Sequence, residues 1–475
     1  MKTIKLFIFI CLLTGLSACE LLQPDDIINP NVGEDDFLKS PNAMQSWVNG
    51  TNKSFAVAIG SFAELTELLS DNYFNNYTQS SKFFDIPSIL YTDVDVTALQ
   101  SYIGNLRESA DYGIRTVAQA DAGTTNKHLL NLYYIKGYAY LLAGEYFLAL
   151  PVEAGGEVKE WKTQLTMAIN IFWEALANYA DNTEDQAFLS TLIARAYHKL
   201  GSKENAVYYA ERALEYSPGF VKNVEFDGEK GVMNAIQTHI YSTHFQPLPR
   251  LDFLDPKYFE STNLEQRPVC IAKAEELYLI LAESLLSENN IVQAKQQLKE
   301  LLALVASRPV ATGINDQLEG RHNGGPKRYP NSSAYKVAAS PGEPFRENLV
   351  LDRQPPHLIS IPYISGTSVD AAMIDNAPSI DSLLEIVYLM RQEIFFAEGR
   401  RASDLGIRLP VCEIEAANTS SAAPYIKAQI PSFIPLEQGM DAFEMDEDTK
   451  TVVISYNMNK IIVENKVSED VVPFF

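Results

Sequence analysis

Residues 185–218, DQAFLSTLIARAYHKLGSKENAVYYAERALEYSP, decide how the rest of the chain is read. Phe188, Leu192, Ile193, Ala196, Tyr197 and Leu200 recur at helical spacing and make one apolar face. Gly201-Ser202 breaks the pattern, and Ala206, Ala210, Ala213 and Leu214 then line a second helix that stops before Pro218. The small residues let the two backbones approach closely, so the stretch predicts an antiparallel helix pair.

Within this pair Ile193, Ala194, Tyr197, Ala206, Ala213 and Pro218 keep the register of the roughly 34-residue tetratricopeptide pattern. Ser190 stands where that pattern has Trp, and Ala210 where it has a later aromatic. A second copy fits at Leu281, Ala282, Leu285, Ala294, Leu298 and Leu301, with Ser287 to Asn290 as its turn. A third is split: Gly137 and Tyr140 lie on one helix, and Ala168, Phe172 and Ala175 on a partner displaced by an insertion. From about Asp35 to Leu150 the periodicity is helical, with a polar and aromatic interruption between Asn75 and Thr92.

The expected fold is therefore mainly α, built on tetratricopeptide-type helix pairs. Long inserted loops separate the pairs, at residues 219–266 and 308–378, both rich in Pro, Gly, Asn and aromatics. Loops of that length in a compact domain are usually functional or disordered, and their apolar content argues against simple disorder. Near the end, Thr451 to Tyr456 and Lys460 to Val463 alternate around Asn457-Met458-Asn459 as a β-hairpin would.

The chain opens with Lys2 and Lys5, an apolar run from Leu6 to Leu13, and Leu16-Ser17-Ala18-Cys19, which matches the lipobox at which bacterial lipoproteins are cut and lipidated. Residues 1–18 are expected to be a lipoprotein signal peptide, Cys19 the lipidated residue, 19–34 an anchored tether and 35–475 the folded domain. The apolar run is too short to span a bilayer. Two or three acyl chains on Cys19 would make the anchor effectively permanent.

Composition narrows the function further. The chain of 475 residues has 38 basic and 61 acidic side chains, a formal charge of −23, which argues against nucleic acid and against anionic lipid as partners. Of 4 cysteines only Cys270 and Cys412 lie beyond the anchor, too few for a disulfide framework or a four-thiolate zinc site. Val269-Cys270-Ile271-Ala272 reads as an apolar helix start with a buried, inert thiol.

The lipobox, the scattered helix pairs, AEELYLILAE at residues 274–283 and RQEIFFAEGRRASDL at 391–405 together resemble the SusD/RagB lipoproteins of Bacteroidetes. Ser70-Asp71-Asn72 and LDFLDPKY at 251–258 support the resemblance, which covers the chain after the signal. It implies a SusD-like fold and a cell-surface, outer-membrane protein that captures oligosaccharides for a SusC-like TonB-dependent transporter. It implies no enzymatic activity and no cofactor. Glu393 stands one residue earlier than the family's acidic position, and Ala402-Ser403 replace bulkier residues, so the branch is divergent and the ligand open. Peptide or other nutrient capture, a protein-only repeat scaffold and a surface glycosidase are the alternatives.

Arg391 to Asp404 reads as one helix with structural charge ladders, Glu398 to Arg401 and Arg400 to Asp404. No metalloprotease, nucleophile-elbow, P-loop or dinucleotide motif occurs, so neither catalytic nor metal-binding residues are assigned. His322 and His357 lack partners at ligand spacing, and the acids at Asp441 and 446–448 read as a solvated turn. A sugar presents an apolar C–H face and a rim of hydroxyls, so its site needs flat aromatic rings beside polar groups. Asp71, Asn72, Tyr73, Phe74 and Tyr77 supply that mixture in a short span, and Arg321, Tyr329 and Tyr335 more loosely; these are the candidate ligand-binding residues. Trp47 and Trp173 read as core, whereas Trp161, after a Gly-rich turn, is a candidate for exposure.

Overall fold

The computed structural model describes residues 33–75, 82–241, 244–259, 264–316, 328–436 and 439–475. Its framework is helical: α1 (Ala43–Leu68), α2 (Val94–Tyr112), α3 (Asn126–Tyr146), α4 (Trp161–Asn178), α5 (Thr183–Lys199), α6 (Lys203–Tyr216), α7 (Glu275–Ser287), α8 (Ile291–Ala306) and α9 (Ile380–Ile394). Among the described residues no helix is long and apolar enough to cross a membrane.

The pair at 185–218 forms as its sequence suggests. Asn182 caps α5 by accepting the Asp185 N–H at 2.9 Å, and acidic residues at its start and basic ones at its end suit the helix dipole. Gly201 takes the left-handed conformation (φ 70°), with Ser202 N–H bonded to Tyr197 and Gly201 N–H to His198, a glycine-terminated helix end. Ala206, Ala210 and Ala213 are fully buried against α5. The split pair α3–α4 is closer still, because a Cβ on Gly137 would stand 2.4 Å from the Phe172 ring and one on Gly144 2.6 Å from Leu165. The α7–α8 pair turns through Asn289 in the left-handed region (φ 63°), and Asn290 caps α8.

Strands are short and tie the insertions to this framework. β1 (Tyr73–Asn75) pairs antiparallel with β3 (Phe245–Pro247), and β2 (Val221–Val224) with β4 (Val269–Lys273). A four-stranded sheet runs in the order β7 (Phe443–Asp446), β8 (Thr451–Ile454), β5 (Lys336–Ala338), β6 (Phe345–Arg346), with β8 and β5 parallel.

Four local expectations are corrected. The hairpin near the C-terminus joins β7 to β8, because the Asp446 side chain accepts the Asp448 and Thr449 N–H groups and closes that turn. Lys460 to Val463 belong to a helix, Met458–Glu464, capped by Asn457. Its buried residues Met458, Asn459, Ile462 and Val463 follow the helical rather than the strand period. Cys270 lies on β4, not at a helix start; it is buried as expected. Trp173 is 40% exposed, because its neighbour Phe172 takes the inward face of α4.

The fourth correction concerns residues 391–405. α9 ends at Ile394, and a turn with Ala397 (φ 61°) and Gly399 (φ 72°) in the left-handed region precedes α10 (Arg401–Asp404). The charges therefore do not pair along one helix. Arg391 holds Asp404 through both carboxylate oxygens at 2.8 and 3.0 Å, and Lys199 reaches the same carboxylate at 3.1 Å. Arg400 shares Glu276 with Arg195, at 2.7 and 2.6 Å. Arg401 grips Asp71 at 2.6 Å, and Glu398 lies between Lys257 and Lys273 at 2.5 and 2.6 Å. All these groups are buried except Lys199, which is half-buried. Burial pushes the Glu276 and Asp404 carboxyls up, but the adjacent cations outweigh it and hold both well below the usual carboxylate range.

Candidate functional site

The two insertions meet at one cavity of about 210 Å³, lined by Asn223, Lys257, Tyr258, Arg267, Pro268, Cys270, Tyr363 and Ile364. Each wall has a local cause. Asn223 is carried in by β2, whose register against β4 shifts beside it. Tyr258 follows a short 3-10 helix, Pro249–Leu254, and its hydroxyl donates to Ala397 O at 2.8 Å. Arg267 donates to Phe259 O at 2.8 Å, pairs with Glu265 at 2.6 Å and stacks 4.0 Å over the Phe259 ring. Phe259 in turn meets Tyr363 edge-on at 6.3 Å, and Tyr363 is 38% exposed.

Beneath the cavity stands part of the charged interior just described. Lys257 donates to Phe396 O at 2.9 Å and to Glu398; Lys273 donates to Ile364 O at 2.9 Å, Ile394 O at 2.7 Å and Glu398. The cavity floor is thus fastened to the 394–398 turn. Burial lowers the Lys257 ammonium, with Glu398 opposing it. Burial and the Glu398 charge push the Cys270 thiol up to about 12, which disfavours the reactive thiolate at neutral pH. Among the described residues no three His, Cys, Asp or Glu side chains converge as a metal site requires. The arrangement offers aromatic rings, an amide and a guanidinium, groups suited to non-covalent contact.

The residues singled out in the sequence are placed differently from one another. Asp71 receives Arg401 and Gln392; Asn72 donates to Glu67 at 2.7 Å and accepts from Gln392 at 3.0 Å. Both are buried. Tyr73 stacks on Phe396 at 4.9 Å and donates to Asp255 at 2.5 Å, also in the interior. Phe74 and Tyr329 are brought together, their centroids 6.3 Å apart, with Phe443 completing the cluster. The Tyr329 hydroxyl donates to Asp252, which Arg353 also grips, so this cluster joins the first insertion to the second. Tyr335 is buried under Lys450, 4.9 Å over its ring. Cys19, Tyr77 and Arg321 lie outside the described residues.

Of the cavity's walls only Tyr363 stands among the aromatics that make the second insertion conspicuous. Asn223, Phe259 and Arg267 carry no local signal; what unites them is the pairing of β2 with β4 and the return of the chain at 363–364.

No family model matches the sequence, and no curated protein does. Solved structures do match. A SusD superfamily protein from Bacteroides fragilis is 15% identical, with 81% of this chain and 99% of that one covered, at a TM-score of 0.52. A SusD-like protein from Bacteroides fragilis NCTC 9343 is 10% identical, with 84% and 98% covered, at a TM-score of 0.51. At such identities the likeness is one of architecture, and it extends over almost the full length of the two solved structures and about four fifths of this chain. A mainly helical framework, its insertions folded back onto a charged interior, gives this chain the SusD-like fold.

Proposed function

We propose that this chain is a lipid-anchored protein of the outer-membrane surface that captures oligosaccharides without chemical change and delivers them to a SusC-like TonB-dependent transporter. One observation carries the reading: the two insertions meet at a cavity that sets the exposed Tyr363 ring and the half-buried Phe259 ring beside an amide and a guanidinium. Its volume of about 210 Å³ suits one end of a sugar chain rather than a long segment. Support also comes from the SusD-like fold and from the lipobox ending at Cys19.

Calorimetry of the purified protein against a panel of neutral oligosaccharides tests the reading. At least one sugar should give heat, and Tyr363→Ala should weaken its binding about tenfold, the scale of one lost aromatic contact. A silent panel, or unchanged affinity in the variant, would overturn it. The partner is tested separately by affinity capture from outer membranes, in which a TonB-dependent barrel should co-purify.

A further inference from the structure

A second aromatic feature lies on the helix layer itself. Trp173 on α4, Tyr197 on α5, and Tyr208 and Tyr209 on α6 form one continuous set of rings. Trp173 stands 6.1 Å from Tyr197 and 6.5 Å from Tyr209; Tyr197 and Tyr209 are 6.0 Å apart with planes only 18° from parallel; Tyr208 meets Tyr209 edge-on at 5.1 Å. Trp173 is 40% and Tyr208 55% exposed, and the other two are half-buried.

Tyr197 and Tyr209 pack against the core with one edge, but Trp173 and Tyr208 are not required to close it. Phe172, Ala175, Ala206 and Ala210, fully buried on the same helices, already make the inward contacts. Leaving large aromatic faces in water is unfavourable, and a contiguous exposed patch of this kind marks a contact surface.

The chemistry of the patch selects its occupant. Three of the four rings carry a phenolic hydroxyl and the fourth an indole N–H, so flat apolar faces alternate with hydrogen-bonding rims. Glu174, beside Trp173, and Glu211, one helical turn after Tyr208, are exposed carboxylates on a chain of formal charge −23. Phosphate groups and acidic peptides are repelled there. What fits is a neutral molecule with apolar faces and many hydroxyls.

We propose that Trp173, Tyr197, Tyr208 and Tyr209 form a second glycan-contact surface, across which a neutral polysaccharide chain lies. The proposal rests on the oligosaccharide-capture reading above and adds a site to it. A protein that holds a polymer at two places gains avidity without any stronger single contact, whereas a short oligosaccharide uses the cavity alone.

Affinity electrophoresis in gels containing starch, a soluble β-glucan or a mannan, run beside calorimetry with the matching short oligosaccharide, tests it. The double variant Trp173→Ala/Tyr208→Ala should be retarded about tenfold less by the polysaccharide that holds the wild type. Its short-oligosaccharide heat should be unchanged, and Trp173→Phe/Tyr208→Phe should keep most of the retardation. Both positions are exposed, and a thermal melt confirms that the variants are folded. Unchanged retardation would overturn the proposal, as would a parallel loss of short-oligosaccharide heat. Intact retardation with loss of a co-purifying membrane protein would instead make the patch a protein-docking face and also overturn it. Weaker retardation in this variant with no effect of Tyr363→Ala would keep the surface and refute the cavity. A wild type held by no sugar would refute both.

Discussion

The α3–α6 layer, which keeps one face in solvent, and the buried 391–404 segment are held by opposite kinds of force. In the layer, helices touch through Gly137, Gly144, Ala206, Ala210 and Ala213, positions where a missing or minimal side chain permits close approach. In the segment, Arg391 pairs with Asp404, and Glu398, Arg400, Arg401 and Asp404 reach five partners on four separate stretches of chain: Asp71, Lys199, Lys257, and Lys273 with Glu276. Apolar contact is tolerant and additive, whereas a buried charge is stable only with its partner in place. The layer should therefore fail gradually and the charged interior abruptly.

That contrast is open to measurement, beginning where the effect is largest. Glu276→Ala leaves Arg195 and Arg400 buried without their shared carboxylate, and urea unfolding should show a loss of about 3–5 kcal/mol. A loss below 1 kcal/mol would mean that water enters the interior and that the charges there are not isolated from solvent.

Glu67 probes the same interior through pH. It accepts N–H groups from Ala397 at 3.2 Å and Gly399 at 2.7 Å, and so braces the turn that redirects the charges. Burial raises its pKa from 4.5 to about 7, against the hydrogen bonds from Asn72 and the turn, which lower it. The folded state therefore keeps a proton that the unfolded chain releases above pH 4.5. Its contribution is complete below that pH and is lost as pH rises through about 7, a decline of about 3 kcal/mol. Urea midpoints measured between pH 5 and pH 8 should show this slope, using about the unfolded and folded values as limits, and Glu67→Gln should flatten it. An identical slope in the variant would assign the proton elsewhere.

The helix layer should respond least. Gly137→Ala places a methyl group 2.4 Å from the Phe172 ring, and the helices must separate slightly, for a loss of about 1–3 kcal/mol in the same unfolding measurement. A loss equal to that of Glu276→Ala would erase the distinction between the two regions.

The two regions also differ in how far they were legible. The helix pair at 185–218 could be read directly, because apolar spacing, Gly201 and the small residues are all local signals and all act within the pair. The segment 391–405 carried equally plain local signals, which pointed to one helix. They were outweighed by the turn at Ala397 to Gly399, which lets each charge face a different distant partner. Lys460 to Val463 failed for a related reason: short apolar runs suit strand and helix alike, and the Asn457 cap decided the matter. The candidate cavity was legible only as two unusual loops. Tyr363 was visible as an aromatic in one of them, but its neighbours Asn223 and Arg267 come from the other and the residue just after it, and no spacing relates them.

By itself, then, the sequence determined the helical pairs and the places where long insertions interrupt them, because each rests on residues close together in the chain. Only the tertiary structure decided which charges pair, that Asp71 and Asn72 face the interior, that Trp173 faces outward, and where the insertions meet. Burial and ion pairing depend on residues tens to hundreds of positions away, and a helix or loop carries no local record of what will be folded against it.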